Sequence, residues 1–208
     1  MEASQSNSLE VLRNAARGCR DCSLWANATQ TVFGEGNAHA KVMLVGEQPG
    51  DQEDLKGLPF VGPAGQLLDR ALERAGVDRR TVYVTNAVKH FKWEFRGKRR
   101  LHKTPAQREI EACKQWIEAE IRAVKPRVIV CLGATAARAL LGKDFRVSRE
   151  RGKFVKSPYA PFVFATLHPS AILRAPDEAS RDAGLEQLIG DFSLIRSALA
   201  TKSADKAA

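Results

Sequence analysis

Four short apolar runs punctuate the chain, and between them apolar residues recur at helical spacing. Val42-Met43-Leu44-Val45 is continuously apolar, the pattern of a strand covered on both faces. Thr81–Thr85, Arg127–Leu132 and Phe162–Leu167 read as three further strands. After the first run a loop to Gly62 leads into a helix beginning near Pro63, where a missing N–H costs nothing. Leu67, Leu68, Ala71, Leu72 and Ala75 form its apolar face, and Gly76 closes it. Thr104, Pro105 and Gln107 predict the cap, first position and capping-box partner of a helix that runs to Val124 and is stopped by Pro126. Further helices are predicted over Leu9–Arg17 (capped by Ser8), Ala134–Leu141 and Asp177–Leu199. Phe145–Val155 reads as short extended pieces, and residues 1–7 and 200–208 as disordered tails. Strands alternating with helices predict an α/β fold. We expect one domain over residues 1–208, a three-layer αβα sandwich around a four-stranded parallel sheet.

In such sheets ligands bind beyond the carboxyl ends of the strands. Those ends read Gly46-Glu47-Gln48-Pro49-Gly50, Asn86, Gly133 and His168-Pro169-Ser170, so an acid, an amide and an imidazole converge on one rim. Asn86 offers a donor and an acceptor from one planar amide, suited to a pyrimidine edge, or it caps a turn. Glu47 can orient water or stabilise positive charge at a sugar carbon, or act as an ordinary loop acid paired with the basic surface. His168 can steady a leaving base anion, or serve a structural role. Phe60, in an apolar loop, can stack on a flipped base or lie under the loop as a core aromatic.

Charge changes the picture by singling out one segment. Residues 89–103 hold seven Lys/Arg against one Glu, +6 of the chain's net +9. Phe91, Trp93 and Phe95 are interleaved with His90 and His102. A basic run alone is a solvated face; aromatic interleaving points to a phosphate-tracking surface on which bases stack. The pI near 9.7 favours an acidic partner, nucleic acid before an anionic membrane surface. No apolar run approaches the ~20 residues of a spanning helix, and no signal-peptide pattern opens the chain. A cytoplasmic protein with reduced thiols is therefore expected. Cys19-Arg20-Asp21-Cys22 and the distant Cys113 and Cys131 do not match compact zinc modules. They leave open a [4Fe–4S] cluster, zinc, or partly free buried thiols.

Taken together, Gly46–Gly50, Pro59–Gly65, Thr85-Asn86, His168-Pro169-Ser170 and the four Cys in their order resemble an iron–sulfur, family-four uracil-DNA glycosylase. The likeness covers about residues 17 to 195. Two departures from the family pattern, Gln48 in place of Gly and the insertion carrying Lys98-Arg99-Arg100-Leu101-His102, resemble the UdgX subgroup, with Leu101 where that group has Ile. The resemblance implies excision of uracil from DNA, single strands preferred, by a monomer holding [4Fe–4S] on Cys19, Cys22, Cys113 and Cys131. It further implies that His102 becomes covalently joined to the abasic sugar. By position, Phe60 stacks the uracil, Asn86 reads its edge, and His168 supports the leaving base. Glu47 and Gln48 line the sugar. Gly46, Asp51, Ser170, Lys98, Arg99 and Arg100 contact the substrate or position His102.

The chemistry is consistent with that set. Cleavage of the glycosidic bond leaves positive charge on the sugar and negative charge on the base, matching a carboxylate near one and donors near the other. An imidazole with an ordinary pKa of ~6.5 is mostly neutral at pH 7, and Arg99, Arg100 and Lys103 are expected to bias His102 further that way. Placement in a loop supplies proximity, and an alkylated imidazole leaves poorly. Two other outcomes remain: a turnover glycosylase without an adduct, and a non-catalytic iron–sulfur protein that binds nucleic acid.

Overall fold

The computed structural model describes residues 6–201. The disordered tails expected over residues 1–7 and 200–208 therefore lie outside the described residues except at Ser6, Asn7, Ala200 and Thr201. In chain order the elements are α1 (Leu9–Ala16), β1 (Glu35–Gly36), β2 (Val42–Gly46), α2 (Asp51–Lys56), α3 (Pro63–Arg74), β3 (Val82–Asn86), β4 (Trp93–Arg96), β5 (Arg99–His102), α4 (Gln107–Val124), β6 (Val128–Leu132), α5 (Gly133–Leu141), α6 (Val147–Glu150), β7 (Phe162–Thr166), α7 (Pro169–Leu173) and α8 (Glu178–Ala200).

The central sheet runs β1-β3-β2-β6-β7. Its last four strands are parallel, as expected; β1 adds a fifth, antiparallel to β3, so the sheet is mixed. Glu35-Gly36 is too short for an apolar pattern to announce it. Alternation sorts the strand side chains between two layers. Met43, Val45, Tyr83, Ile129, Cys131 and Val163 pack with α1, α4 and α5. Val42, Leu44, Val84, Val130 and Phe164 pack with α3, α7 and α8. Both faces are thereby dry, which is why the strands read as unbroken apolar runs.

Three local readings are corrected. The loop after Gly50 contains α2, and residues 147–150 form α6 where extended pieces were expected. Helix α4 starts two residues beyond the expected Pro105: Ala106 is its N-cap, and the Glu109 carboxylate accepts the Ala106 N–H at 2.6 Å. Thr104 and Pro105 instead carry the chain out of a hairpin. That hairpin, β4–β5, is the form taken by the basic segment. Trp and Phe favour a pleated strand, and Gly97, with φ +62°, occupies the first turn position where such two-residue turns take glycine.

Candidate active site

A cleft of about 700 Å³ opens at the carboxyl edge of the sheet and gathers Glu47, Gln48, Phe60, Asn86, His102 and His168. Gly46 makes the assembly possible. A Cβ there would lie 2.4 Å from Asn86 Oδ1 and 2.7 Å from the Phe60 ring, so glycine lets the amide and the aromatic close over the strand end. Its part is spacing, and it does not itself line the cleft. Phe60 is a non-glycine residue at φ +57°, a strained setting that surrounding structure must enforce. Gly65 allows this, since a Cβ there would fall 1.7 Å from the Phe60 carbonyl oxygen. Asn86 ends β3 and is almost fully buried, and its amide borders the cleft.

His168 is the N-cap of α7. Its Nδ1 accepts the Ser170 N–H at 3.1 Å and lies 2.8 Å from Ser170 Oγ. An accepting Nδ1 leaves the proton on Nε2, so the ring is a donor at its other end. Ser170 is thus occupied in holding the imidazole. Desolvation, reinforced by Arg174 and His102, lowers the His168 pKa to about 4. The ring faces Phe60, centroids 6.2 Å apart.

Glu47 and His102 meet across the cleft, Oε1 to Nε2 at 3.3 Å. Thr135 Oγ1 donates to the other carboxylate oxygen, Oε2, at 2.5 Å. One oxygen is therefore fixed by the start of α5, and the other faces the imidazole. The His102 pKa is lowered first by burial, opposed by Glu47 and aided by Arg174. Arg99, Arg100 and Lys103 were expected to do this; Arg100 instead pairs with Asp51 and Asp54 and Lys103 with Glu94, and the cation that acts on His102 is Arg174, the C-cap of α7. Thr135 and Arg174 were both missed. Their only signal was position: Thr135 follows the strand-end Gly133, and Arg174 lies one turn beyond His168-Pro169-Ser170.

The hairpin is tied down at its base. Gln48 Oε1 accepts the Lys92 N–H at 2.9 Å, and Nε2 donates to the carbonyls of Lys92 (3.2 Å) and Lys103 (3.0 Å). Gln48 borders the cleft, and its amide is engaged by the hairpin. Arg100 donates to Asp51 and to the fully buried Asp54, each at 2.7 Å, and lies against Phe91 and Trp93. Asp51 and Arg100, both expected at the substrate, thus pair with each other. Lys98 and Arg99 sit at the hairpin's outer end.

Behind the rim, Lys89 is buried. Its Nζ donates to Thr85 Oγ1 and the Asn86 carbonyl, each at 2.7 Å, and to Glu120, which also accepts from Gly34 N–H and Tyr83 O–H. The Lys89 N–H donates to Cys113 Sγ at 3.2 Å. The Cys113 thiol is pushed up to about 12, mainly by burial, with smaller contributions from Cys19 and Cys22. Trp116 Nε1–H donates to Cys19 Sγ at 3.2 Å. These three cysteines are neighbours. Cys131, next to the end of β6, shows no influence from them: burial is the sole cause of its rise to about 12. His90 lies on the cysteine side instead: its Nε2 is 2.9 Å from Thr31 Oγ1, which donates to the same Ala16 carbonyl that accepts the Cys19 N–H.

A family model described as the Uracil DNA glycosylase superfamily matches residues 33–192. The chain is 36% identical over 189 residues to a Type-4 uracil-DNA glycosylase of Thermotoga maritima, covering 90% of this chain and 95% of that one. It is 37% identical over 183 residues to the Type-4 enzyme of Archaeoglobus fulgidus, covering 81% and 85%. A Type-5 uracil-DNA glycosylase of Pyrobaculum aerophilum is 30% identical over 178 residues, covering 77% and 74%.

Proposed function

Because the chain belongs to the uracil DNA glycosylase superfamily, we propose that it excises uracil from DNA, unpaired strands preferred, and that His102 then captures the abasic sugar. The observation that carries the second half is the placement of His102 Nε2 3.3 Å from Glu47 Oε1, inside the cleft that also holds Phe60, Asn86 and His168.

In this reading the flipped uracil stacks on Phe60, and its edge is read by Asn86. As the bond from the sugar C1′ to the base breaks, its electron pair leaves with uracil. His168 donates Nε2–H to the developing anion; the acceptor role of Nδ1 fixes that tautomer beforehand. Glu47 stabilises positive charge at C1′, one carboxylate oxygen held by Thr135. A neutral His102 carries a nitrogen lone pair close to the same carbon, and its lowered pKa keeps that pair available. Attack forms a C1′–N bond, and the resulting imidazolium has Glu47 as counter-ion.

An iron–sulfur cluster fits part of the expected donor set. Cys19 and Cys22 lie near enough to Cys113 to act on its thiol, and the sulfurs of Cys19 and Cys113 accept N–H bonds, as cluster thiolates do. Cys131 shows no such influence. The fourth donor we assign instead to His90, which the Lys89–Cys113 and Thr31–Ala16–Cys19 contacts bring alongside. When bound, the cluster would tie α1, α4 and the segment after Asn86 together. We read residues 9–200 as one functional unit, supported by a sheet whose two faces are covered from Leu12 to Ala198.

The test is a denaturing gel with a single-stranded uracil oligonucleotide and its thymine counterpart. Wild type should give a shifted, stoichiometric band with uracil alone, and His102→Ala should give none. Cross-linking by His102→Ala at the wild-type level would refute the nucleophile. Released uracil with an alkali-labile site and no adduct would establish a turnover enzyme instead.

A further inference from the structure

We propose that the outer half of the β4–β5 hairpin docks the nucleotide next to the excised one on an unpaired strand. The Phe95 ring is the platform for its base, and Arg96, Lys98 and Arg99 take the flanking phosphates. This rests on the DNA reading above and adds to it a contact outside the cleft.

Phe95 is 68% exposed, more than any other large apolar side chain among the described residues. Its mounting is nevertheless rigid. It packs edge-on against Trp93, centroids 4.5 Å apart at 81°. Trp93 is held in turn by its Nε1–H to the Asn27 carbonyl at 2.9 Å and by the Arg100 guanidinium at 5.4 Å. A preorganised ring with its face in water is what a stacking site requires, because a base brings a π-face and little ordering is left to do.

Register relates the platform to the reacting centre. Trp93 pairs with His102, and Phe95 with Arg100. Paired residues and residues two apart project from the same side of a hairpin. Phe95 and His102 are therefore diagonal neighbours, about 7–8 Å apart. A strand that sets its C1′ at His102 passes Phe95 with the adjoining nucleotide.

The ion pairs separate two kinds of cation. Lys92 pairs with Glu109, Arg100 with Asp51 and Asp54, and Lys103 with Glu94. Arg96, Lys98 and Arg99 have no acidic partner among the described residues. The cations nearest the body hold the hairpin, and those at its tip are left for phosphate: Lys98 in the turn, and the paired Arg96 and Arg99 on the face opposite Phe95, where the backbone of a strand passing over the tip reaches them. A base engaged in a duplex keeps its faces stacked on its neighbours, so the platform selects unpaired strands.

The experiment is fluorescence anisotropy of the full chain on thymine-only single strands and duplexes, which no excision can alter. Phe95→Ala should weaken single-strand binding by about 5- to 150-fold, with the salt slope unchanged and duplex binding little affected. Phe95→Trp should bind as wild type does. Arg99→Gln should lower the salt slope by about 0.7. Unchanged affinity in Phe95→Ala overturns the proposal, as does an equal loss on duplex. So does a dimer that Phe95→Ala dissolves, which would make a second copy the occupant. If wild type excises nothing, the functional reading fails while the thymine-strand result still judges the platform.

Discussion

Replacing His168 by Asn should change how stability depends on pH, by an amount the structure sets. The Asn oxygen can still accept the Ser170 N–H and cap α7, but the side chain takes up no proton. In the wild type the folded imidazole titrates at about 4, held down by burial and by Arg174 and His102 facing it, against ~6.5 for an unfolded His. Between those values the unfolded chain binds the proton and the folded chain does not. Stability is thus present above the unfolded value and is lost as pH falls toward the folded one. About two and a half pKa units at about 1.36 kcal/mol each give a ceiling of about 3 kcal/mol. The assay is urea unfolding followed by tryptophan fluorescence, wild type against His168→Asn, from about pH 7 to about pH 4. Carboxylates titrate alike in both proteins and cancel in the difference. Wild type should lose stability relative to the variant across that range, with a loss of a few kcal/mol. A flat difference would show that the imidazole is not held neutral in the fold, and with it would go the assignment of a preset Nε2–H donor.

Two further outcomes follow from the site. Thr135→Val removes the donor that fixes Glu47 Oε2, and steady-state or single-turnover excision should slow by about 10- to 100-fold with KM little changed; Thr135→Ser should restore most of it. Cys131→Ala should retain the visible absorbance and iron content of an iron–sulfur protein, whereas Cys113→Ala should lose both; the reverse pattern would return Cys131 to the ligand set.

What the sequence made legible was whatever depends on apolar periodicity or on strand order. Val42–Val45 and its three counterparts are buried on both faces, so their runs were plain, and placing Glu47, Asn86 and His168 together needed only the rule that parallel strands present their carboxyl ends to one rim. Helix α2 escaped because Asp51–Lys56 is short and polar and is held by Asp54 and Glu53 rather than by an apolar stripe. Arg100 was expected to position His102 and meet the substrate because it is a basic side chain next to a proposed nucleophile; the fold adds the buried Asp54 beneath it. Thr135 and Arg174 reach the site from elements whose local pattern carries no chemistry, and spacing along the chain could not show that Cys19 and Cys22 act on Cys113 while none of them acts on Cys131. Gly46 was singled out as a substrate contact, and the fold adds a spacing role that lies in the side chain it lacks.

Gln48 and the hairpin depend on each other in a way that neither residue type discloses. The sequence resemblance implied two departures from the family-four pattern, an amide in place of glycine and an added loop. The amide bonds the loop at both its entry and its exit, Lys92 and Lys103. The two are then one structural unit. The loop without the amide would carry a tethered histidine without a fixed address, and the amide without the loop would leave a buried polar group with nothing to bind. Transplanting the trap into an ordinary glycosylase accordingly calls for both changes in one step, and a graft of the loop by itself should yield a normal enzyme with a longer surface.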